Sequence, residues 1–480
     1  MAEGGFHKLT VWGMVLNATL GMFQFGYILT ILNTLMLYFQ KDVYNFTAEE
    51  KDRYSSLLNS VVNVGAVVGA LTAGPVAKKF GRRTAMLFID IIVILASFLT
   101  LFVSVPLFIV GRVIGGYCVG FNSALVPLYI NEITPLPIKG LAGAFNQIQI
   151  CLGSFLAVLF GFGLPKSDFA GFQGQWWRIM LGFPILIGAI RLLLALFVFR
   201  NETPKYLVYN GEREKAEEAL ALMYEQDSVS EQLDILDQAR VEDEKAGKIT
   251  FGELFGSRFR GRLLIGCFIA FLQQMTGVNA FIFYSTDIFS KGGRGEDTAV
   301  TLSTLFGVFN LIATLISGQI INRFGRKTIL IWGDILITTT TIVTAVLFWN
   351  EAYVALAYPI FTFIVLFGFS YGPVPWIYIA EILPDIGIGV AVTVNWTGSF
   401  LIALLFPILS RDDVLGPGTS FCIFGAFGIF ALLILTTAVK ETFGLTPAGI
   451  NELYSPKGGK SVSDKEEVSL QGDYGKMTDA

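Results

Sequence analysis

The sequence predicts an all-α membrane protein: twelve helices in two pseudo-symmetric six-helix bundles, joined by a polar helical insert. Three observations predict it. Hydrophobic residues make up 53% of the 480 residues against 15% charged, and the mean hydropathy is +0.62, so too little polar side chain exists to cover a large globular surface and the solvent must be lipid. A bilayer core about 30 Å thick needs about 20 apolar residues of helix, and a dozen runs reach that length. Short motifs of the first half recur in the second.

Taken in order, the runs cover 10–38, 56–80, 84–105, 107–131, 140–164, 176–200, 260–289, 297–322, 326–349, 352–381, 387–411 and 418–439. Residues 1–200 and 259–440 then form the two bundles. The first run is not a cleavable signal, because Gly21 to Tyr27 leads into more apolar helix rather than a small-residue cleavage site. Residues 201–258 are polar, and 212–223 are rich in helix formers, with Arg213 and Glu217 spaced i,i+4 and Lys215 and Glu218 spaced i,i+3 as opposite-charge pairs. Residues 441–480 form a tail whose last 25 or so residues carry charge, Gly and Ser without apolar periodicity, the composition of a disordered segment.

Charge placement sets orientation. Lys78, Lys79, Arg82 and Arg83 crowd one loop and Arg323, Arg326 and Lys327 another, neither with an acid, which puts both loops, the insert and both termini in the cytoplasm. Asn45-Phe46-Thr47 then offers a glycosylation sequon on the outer loop. A net charge of −4 carries no nucleic-acid footprint. Cys118, Cys151, Cys267 and Cys422 lie far apart in apolar runs and read as packing residues, and the lone histidine, His7, leaves little for a metal site or a His-based triad. Neither a metal, a cofactor nor an enzymatic activity is expected.

The repeat is the most informative feature. Gly81-Arg82-Arg83-Thr84 with Asp90 returns 244 residues later as Gly325-Arg326-Lys327-Thr328 with Asp334. Tyr129-Ile130-Asn131-Glu132 returns as Tyr378-Ile379-Ala380-Glu381, and Glu202-Thr203 as Glu441-Thr442. Duplicated bundles meeting at the bilayer midplane are the architecture of a rocking transporter. Arg82, Arg83, Arg326 and Lys327 are expected to pair across helix ends with Glu132, Glu202, Glu381 and Glu441 on the cytoplasmic face, a gating network that latches the two bundles in the outward-open state and breaks when they rock.

With Gly81-Arg82-Arg83, Pro127-x-Tyr129-x-x-Glu132, Glu202-Thr203-Pro204-Lys205, Gln273-Gln274-x-x-Gly277-x-Asn279, Asn322-Arg323-Phe324-Gly325-Arg326-Lys327, Pro373-x-Pro375-Trp376 and Glu441-Thr442 in this order, the chain resembles the sugar porter family of the major facilitator superfamily over essentially its whole length. Phe25-Gly26-Tyr27, Trp176-Trp177-Arg178 and Ser370-Tyr371-Gly372-Pro373 are similar to the facilitative hexose transporters of protists, the malaria-parasite type among them. The resemblance implies a monosaccharide, glucose or a related hexose, as the partner of a monomer in the plasma membrane. It places Gln147, Gln273, Gln274, Asn279, Asn310, Trp376 and Asn395 at the sugar site, with Tyr284 and Trp396 as further lining residues. Such a set suits a sugar: amides answer hydroxyls as donors and acceptors, and an indole covers an apolar ring face. On a continuous helix Gln273 and Asn279 would stand about 120° apart; a break at Gly277 would converge them.

Three positions depart from the family pattern. Ile388 stands where relatives carry arginine, which would leave a cytoplasmic carboxylate without a partner, Gly368 replaces a glutamate and Phe443 a lysine, so looser gating on the inner face is expected. Proton-coupled relatives carry an aspartate after the first-span Phe-Gly-Tyr; here the residue is Ile28, and Arg112 has no titratable mate. Passive uniport follows as the expectation, with a proton symporter and a non-transporting sugar sensor as alternatives.

Overall fold

Long apolar runs fold as helices because a helix satisfies its own backbone N–H and C=O groups where no water can. The computed structural model describes residues 5–39, 43–44, 47–164, 173–246, 251–290, 295–321, 323–445 and 447–454. In the first half lie α1 (Lys8–Thr30) continued by α2 (Leu32–Tyr38), α3 (Ala48–Phe80), α4 (Arg82–Leu99), α5 (Val105–Ile133), α6 (Lys139–Leu159) and α7 (Trp176–Phe197). The insert holds α8 (Pro204–Tyr209), α9 (Arg213–Ala221), α10 (Gln226–Ala246) and α11 (Phe251–Leu254). The second half holds α12 (Arg260–Met275) with α13 (Val278–Ser290), α14 (Glu296–Ile321), α15 (Arg326–Trp349), α16 (Ala357–Phe369) with α17 (Val374–Ile382), α18 (Asp385–Leu409) and α19 (Gly416–Thr437); α20 (Pro447–Leu453) follows.

Eleven of the spans are long and apolar enough to cross a bilayer. The twelfth, α4, carries Arg82, Arg83 and Asp90 within 18 residues and crosses packed between α5 and α7. Leu71, Phe88, Ile91, Leu193, Phe197, Trp332 and Leu433 are each more than half exposed, the surface a lipid-solvated protein presents. Inside the first bundle α3 and α5 approach backbone to backbone: a Cβ at Gly65 or Gly69 would overlap the carbonyl of Val113 or Tyr117, and one at Gly116 or Gly120 that of Val62 or Ala66. These reciprocal small-xxx-small pairs replace a hydrophobic driving force that lipid does not supply.

The N-terminal segment joins the insert: Phe6 bridges Tyr224, and the His7 N–H donates to the Met223 carbonyl at 2.8 Å. This membrane end, which also carries the α3–α4 and α14–α15 loops, is called the insert end below. Within the insert the expected intrahelical ion pairs are replaced by others. Arg213 reaches Asp234 (3.3 Å) and Asp237 on the neighbouring α10, and Lys215 takes Glu212 (2.5 Å), because the packed helix offers two carboxylates where Glu217 offered one. The Asn45 sequon and the tail beyond 454 lie outside the described residues.

Candidate functional site

Two spans of the second bundle are broken. Gly277, at φ +86°, separates α12 from α13, and the 370–373 turn separates α16 from α17. The first break brings Asn279 to Gln274 rather than directly to Gln273. Asn279 Nδ2 donates to Gln274 Oε1 at 2.5 Å and to Ser399 Oγ at 2.7 Å. Gln274 Nε2 donates to Asn395 Oδ1 at 2.9 Å, and Asn395 Nδ2 to Gln273 Oε1 and the Ala270 carbonyl, both at 2.8 Å. Gln273 Nε2 closes the chain on the Tyr371 carbonyl at 2.6 Å, a group freed by the second break. All four amides are buried, and each is held by its neighbour in one orientation.

The chain of bonds continues into the other bundle. Ser399 Oγ donates to Asn63 Oδ1 on α3 at 2.6 Å, and Asn63 Nδ2 to the Asn59 carbonyl at 2.8 Å. Asn59 is fully buried, with the Tyr284 hydroxyl beside its amide. Sequence reasoning missed Asn59, Asn63 and Ser399. The signal was there: Ser56, Asn59 and Asn63 recur at i, i+3 and i+7 on one face of an otherwise apolar helix.

The remaining predicted residues lie outside the amide chain. Tyr284 donates its hydroxyl to the Ala403 carbonyl at 2.7 Å. Trp396 is buried against Phe25 of the first bundle, ring centroids 5.4 Å apart. Gln147 is half-buried and donates to Cys151 Sγ at 3.6 Å; Cys151 in turn meets Thr314 Oγ1 of α14 at 3.3 Å, so this cysteine bridges the bundles as well as packing. Asn310 lies between Gly307 and Thr314 on the α6-facing side of α14, and Trp376 is half-buried in the first turn of α17; neither joins the amide chain.

The seam is shut at one end and open at the other. Away from the insert end, Ser56 Oγ donates to the Leu404 carbonyl (2.6 Å), Asn33 Nδ2 to Ser285 Oγ (2.7 Å) and the Thr286 N–H to Asn33 Oδ1 (3.0 Å), all across the bundles. Toward the insert end the same faces part. Gly74 and Gly140 stand eleven residues, roughly 20° round a helix, from Asn63 and Cys151, and Gly318 and Gly389 lie within about 40° of Thr314 and Trp396. A Cβ at any of the four would meet nothing within 4 Å.

At the insert end the charged residues of the repeat meet within each half of the chain. Arg82 pairs with Glu132 at 2.7 Å and Arg326 with Glu381 at 3.0 Å. Glu202 accepts the Arg83 and Thr84 N–H groups at 2.9 and 2.8 Å, and Glu441 accepts those of Lys327 and Thr328 at 3.1 and 3.4 Å. These carboxylates cap the N-termini of α4 and α15, where the helix dipole favours an anion. Arg83 and Lys327 in turn donate to carbonyls near the ends of α7 and α19, at 2.8 Å (Ala195) and 2.9 Å (Thr436). No ion pair joins the two halves here among the described residues, in a conformation whose seam is open at this end; the expected latch belongs to the outward-open state. A Cβ at Gly81 or Gly325 would overlap the carboxylate of Glu202 or Glu441. Gly81 also holds φ +97° whereas Gly325 is at −66°. Gly325→Ala is therefore expected to lower the thermal unfolding midpoint, and Gly81→Ala to lower it further by the equivalent of about 1–2 kcal/mol, the left-handed penalty for a residue with Cβ.

A family model described as "Sugar (and other) transporter" matches residues 14–454. The chain belongs to the sugar transporter family. Relatives include the glucose transporter GlcP of Staphylococcus epidermidis, 32% identical over 88% of this chain and 93% of that one. Hexose transporter 1 of Plasmodium falciparum is 30% identical over 92% of each, and the facilitated glucose transporter member 3 of the dog 32% over 92% of each. Among solved structures, the proton:xylose symporter XylE bound to 6-bromo-6-deoxy-D-glucose superposes with a TM-score of 0.77 at 24% identity, over 93% of this chain and 100% of that one, a likeness that shows the major facilitator fold.

Against the sugar transporter family pattern, the departures acquire physical reasons. Glu381 does not want for a partner despite Ile388: besides Arg326 it accepts the Thr442 hydroxyl at 2.6 Å, and Ile388 packs on the core. Phe443 places its ring 4.8 Å below the Arg326 guanidinium, a cation–π contact in place of a second cation. At Gly368 a Cβ would stand 2.7 Å from that of Ala313, so the glycine sets how closely α16 approaches α14. Arg112 donates to the Ile28 carbonyl at 2.6 Å and the Leu58 carbonyl at 3.3 Å; no carboxylate touches it among the described residues. The repeated aspartates also differ. Asp90 pairs with Arg191 at 3.2 Å inside the first bundle, whereas among the described residues Asp334 accepts only the Tyr371 hydroxyl, at 3.2 Å.

Proposed function

We propose that this sugar transporter moves hexoses, D-glucose foremost, down their gradient by alternating access between its two bundles, without a coupled ion. The observation that carries the reading is the uncharged chain of amides and hydroxyls, Tyr371 carbonyl–Gln273–Asn395–Gln274–Asn279–Ser399–Asn63, which runs across the seam the bundles share. Neutral groups with both donors and acceptors suit hydroxyls pointing in every direction, and they leave no charge that must be neutralised when the seam changes sides. Gln147 and Asn310 extend this lining, and Trp376, Trp396 and Tyr284 supply ring faces. The names of the relatives, glucose and hexose transporters, agree with it.

With the Lys- and Arg-rich insert end in the cytoplasm of a plasma-membrane monomer, the conformation is closed outside and open inside. The charged pairs within each bundle keep it rigid while the bundles rock. Uniport follows from Arg112, whose bonds go to backbone carbonyls where a symport switch needs an acid. Symport is the second reading, because Asp334 is a buried carboxylate with no cation beside it among the described residues. In proteoliposomes, labelled glucose is expected to equilibrate without a change of external pH. Accumulation against the gradient under an imposed proton gradient would establish symport instead.

A further inference from the structure

Arg112 poses a charge problem that the sugar path does not solve. It sits seven residues into α5, roughly 10 Å from the end of the helix, and is 3% exposed. Its Nε and Nη1 are committed to carbonyls, while Nη2 is buried with no hydrogen-bond partner among the described residues. Among the described residues, the elements around it bring no compensating charge. On α4 and α7 the buried ions Asp90 and Arg191 neutralise each other. Arg178, at the start of α7, spends its Nε on the Leu101 carbonyl. From α1 and α3 only the backbone carbonyls of Ile28 and Leu58 meet it. One positive charge is thus left inside the first bundle. A buried carboxyl can shed its charge by taking a proton; a guanidinium has no such exit.

Beside Arg112 lies a small cavity, lined among others by Ile28, Ser97, Thr100, Gly115 and Leu181. The Tyr27 hydroxyl at its edge is spent on the Met180 carbonyl (2.8 Å) and that of Thr100 on the Ser97 carbonyl (2.7 Å). Among the described residues, Arg112 Nη2 and the Ser97 hydroxyl are the side-chain donors of the lining that make no hydrogen bond. Two donors and apolar walls suit a weakly hydrated monovalent anion and exclude sulfate or phosphate, whose extra charge and oxygens would go unanswered. We infer that Arg112 and Ser97 bind one chloride ion within the first bundle, away from the sugar seam, as the counter-charge of the guanidinium.

The test uses the full-length protein in detergent, with no sugar present, so it stands apart from the transport reading. The thermal unfolding midpoint is followed while sodium chloride replaces sodium gluconate at constant ionic strength. A saturable rise of about 2 °C or more is expected with chloride and bromide and not with sulfate, the size mass action gives a ligand well above its dissociation constant. Arg112→Gln should abolish the rise. Ile28→Asp should abolish it by supplying a fixed carboxylate. No halide-specific rise in the natural protein, or an undiminished one in Arg112→Gln, overturns the proposal. Should either variant fail to fold, equilibrium binding of radiolabelled chloride to the natural protein decides: one ion per chain supports the site, and none overturns it.

Discussion

Asn395→Leu is expected to weaken glucose binding more than any other single truncation in the seam. Its amide is the hub of the polar chain: Nδ2 holds Gln273 Oε1 and the Ala270 carbonyl, and Oδ1 holds Gln274 Nε2. Leucine fills nearly the same volume, so packing survives, but two buried glutamines lose the partner that orients them. Leaving a buried polar group unpaired costs about 1–3 kcal/mol; a loss of about 2 kcal/mol in binding is roughly 30-fold in the dissociation constant. Gln274→Ala or Asn279→Ala, each removing an outer link, should cost on the order of 1 kcal/mol. Their double variant should fall short of the sum, because the two side chains bond each other. Tryptophan fluorescence titration measures all four proteins, and an unchanged unfolding midpoint certifies the fold. Unaltered affinity in Asn395→Leu would remove the amide chain from the sugar site.

How much of this was legible in the sequence divides along physical lines. Span positions were, because lipid forces long uninterrupted helices and the pattern needs no partner to be read. The Gly277 break was legible as the condition for Gln273 and Asn279 to converge; that Asn279 would take Gln274, the neighbour of Gln273, was not. Asn59, Asn63 and Ser399 were not, since a single amide or hydroxyl in an apolar span looks the same whether it bonds a neighbour in its own bundle or faces the other one. The charged residues of the insert end were legible from the repeat; which of them face each other was not. A motif repeated 244 residues apart says that two sites are built alike, not that they touch. Asp90 and Asp334 show the converse: identical in sequence context, they differ in structure because Arg191 of α7 has no cationic equivalent beside Asp334 among the described residues of α19.

Gly277→Ala should do the greatest damage to transport of any change that removes no polar group. At φ +86° an alanine pays about 1–2 kcal/mol of left-handed strain, and its Cβ would stand 2.7 Å from the Phe424 ring and 3.1 Å from a second atom of it. The chain can relieve both by letting α12 run on into α13. On a continuous helix Gln274 and Asn279 are five residues apart, roughly 140° round and about 7.5 Å along the axis, so their 2.5 Å bond cannot survive. Ser399, Asn63 and the first bundle then lose their connection to Gln273 and Asn395. The expected result is a fall in glucose exchange of at least about tenfold, since more than 1.4 kcal/mol is lost from the binding-competent geometry, with protein still recovered from the membrane. Gly318→Ala is the matched control: its Cβ meets nothing within 4 Å and it lies inside α14, where alanine is favoured over glycine by about 1 kcal/mol. Exchange at the natural rate in Gly277→Ala would mean that the break is incidental and that the amides do not need each other to hold a sugar.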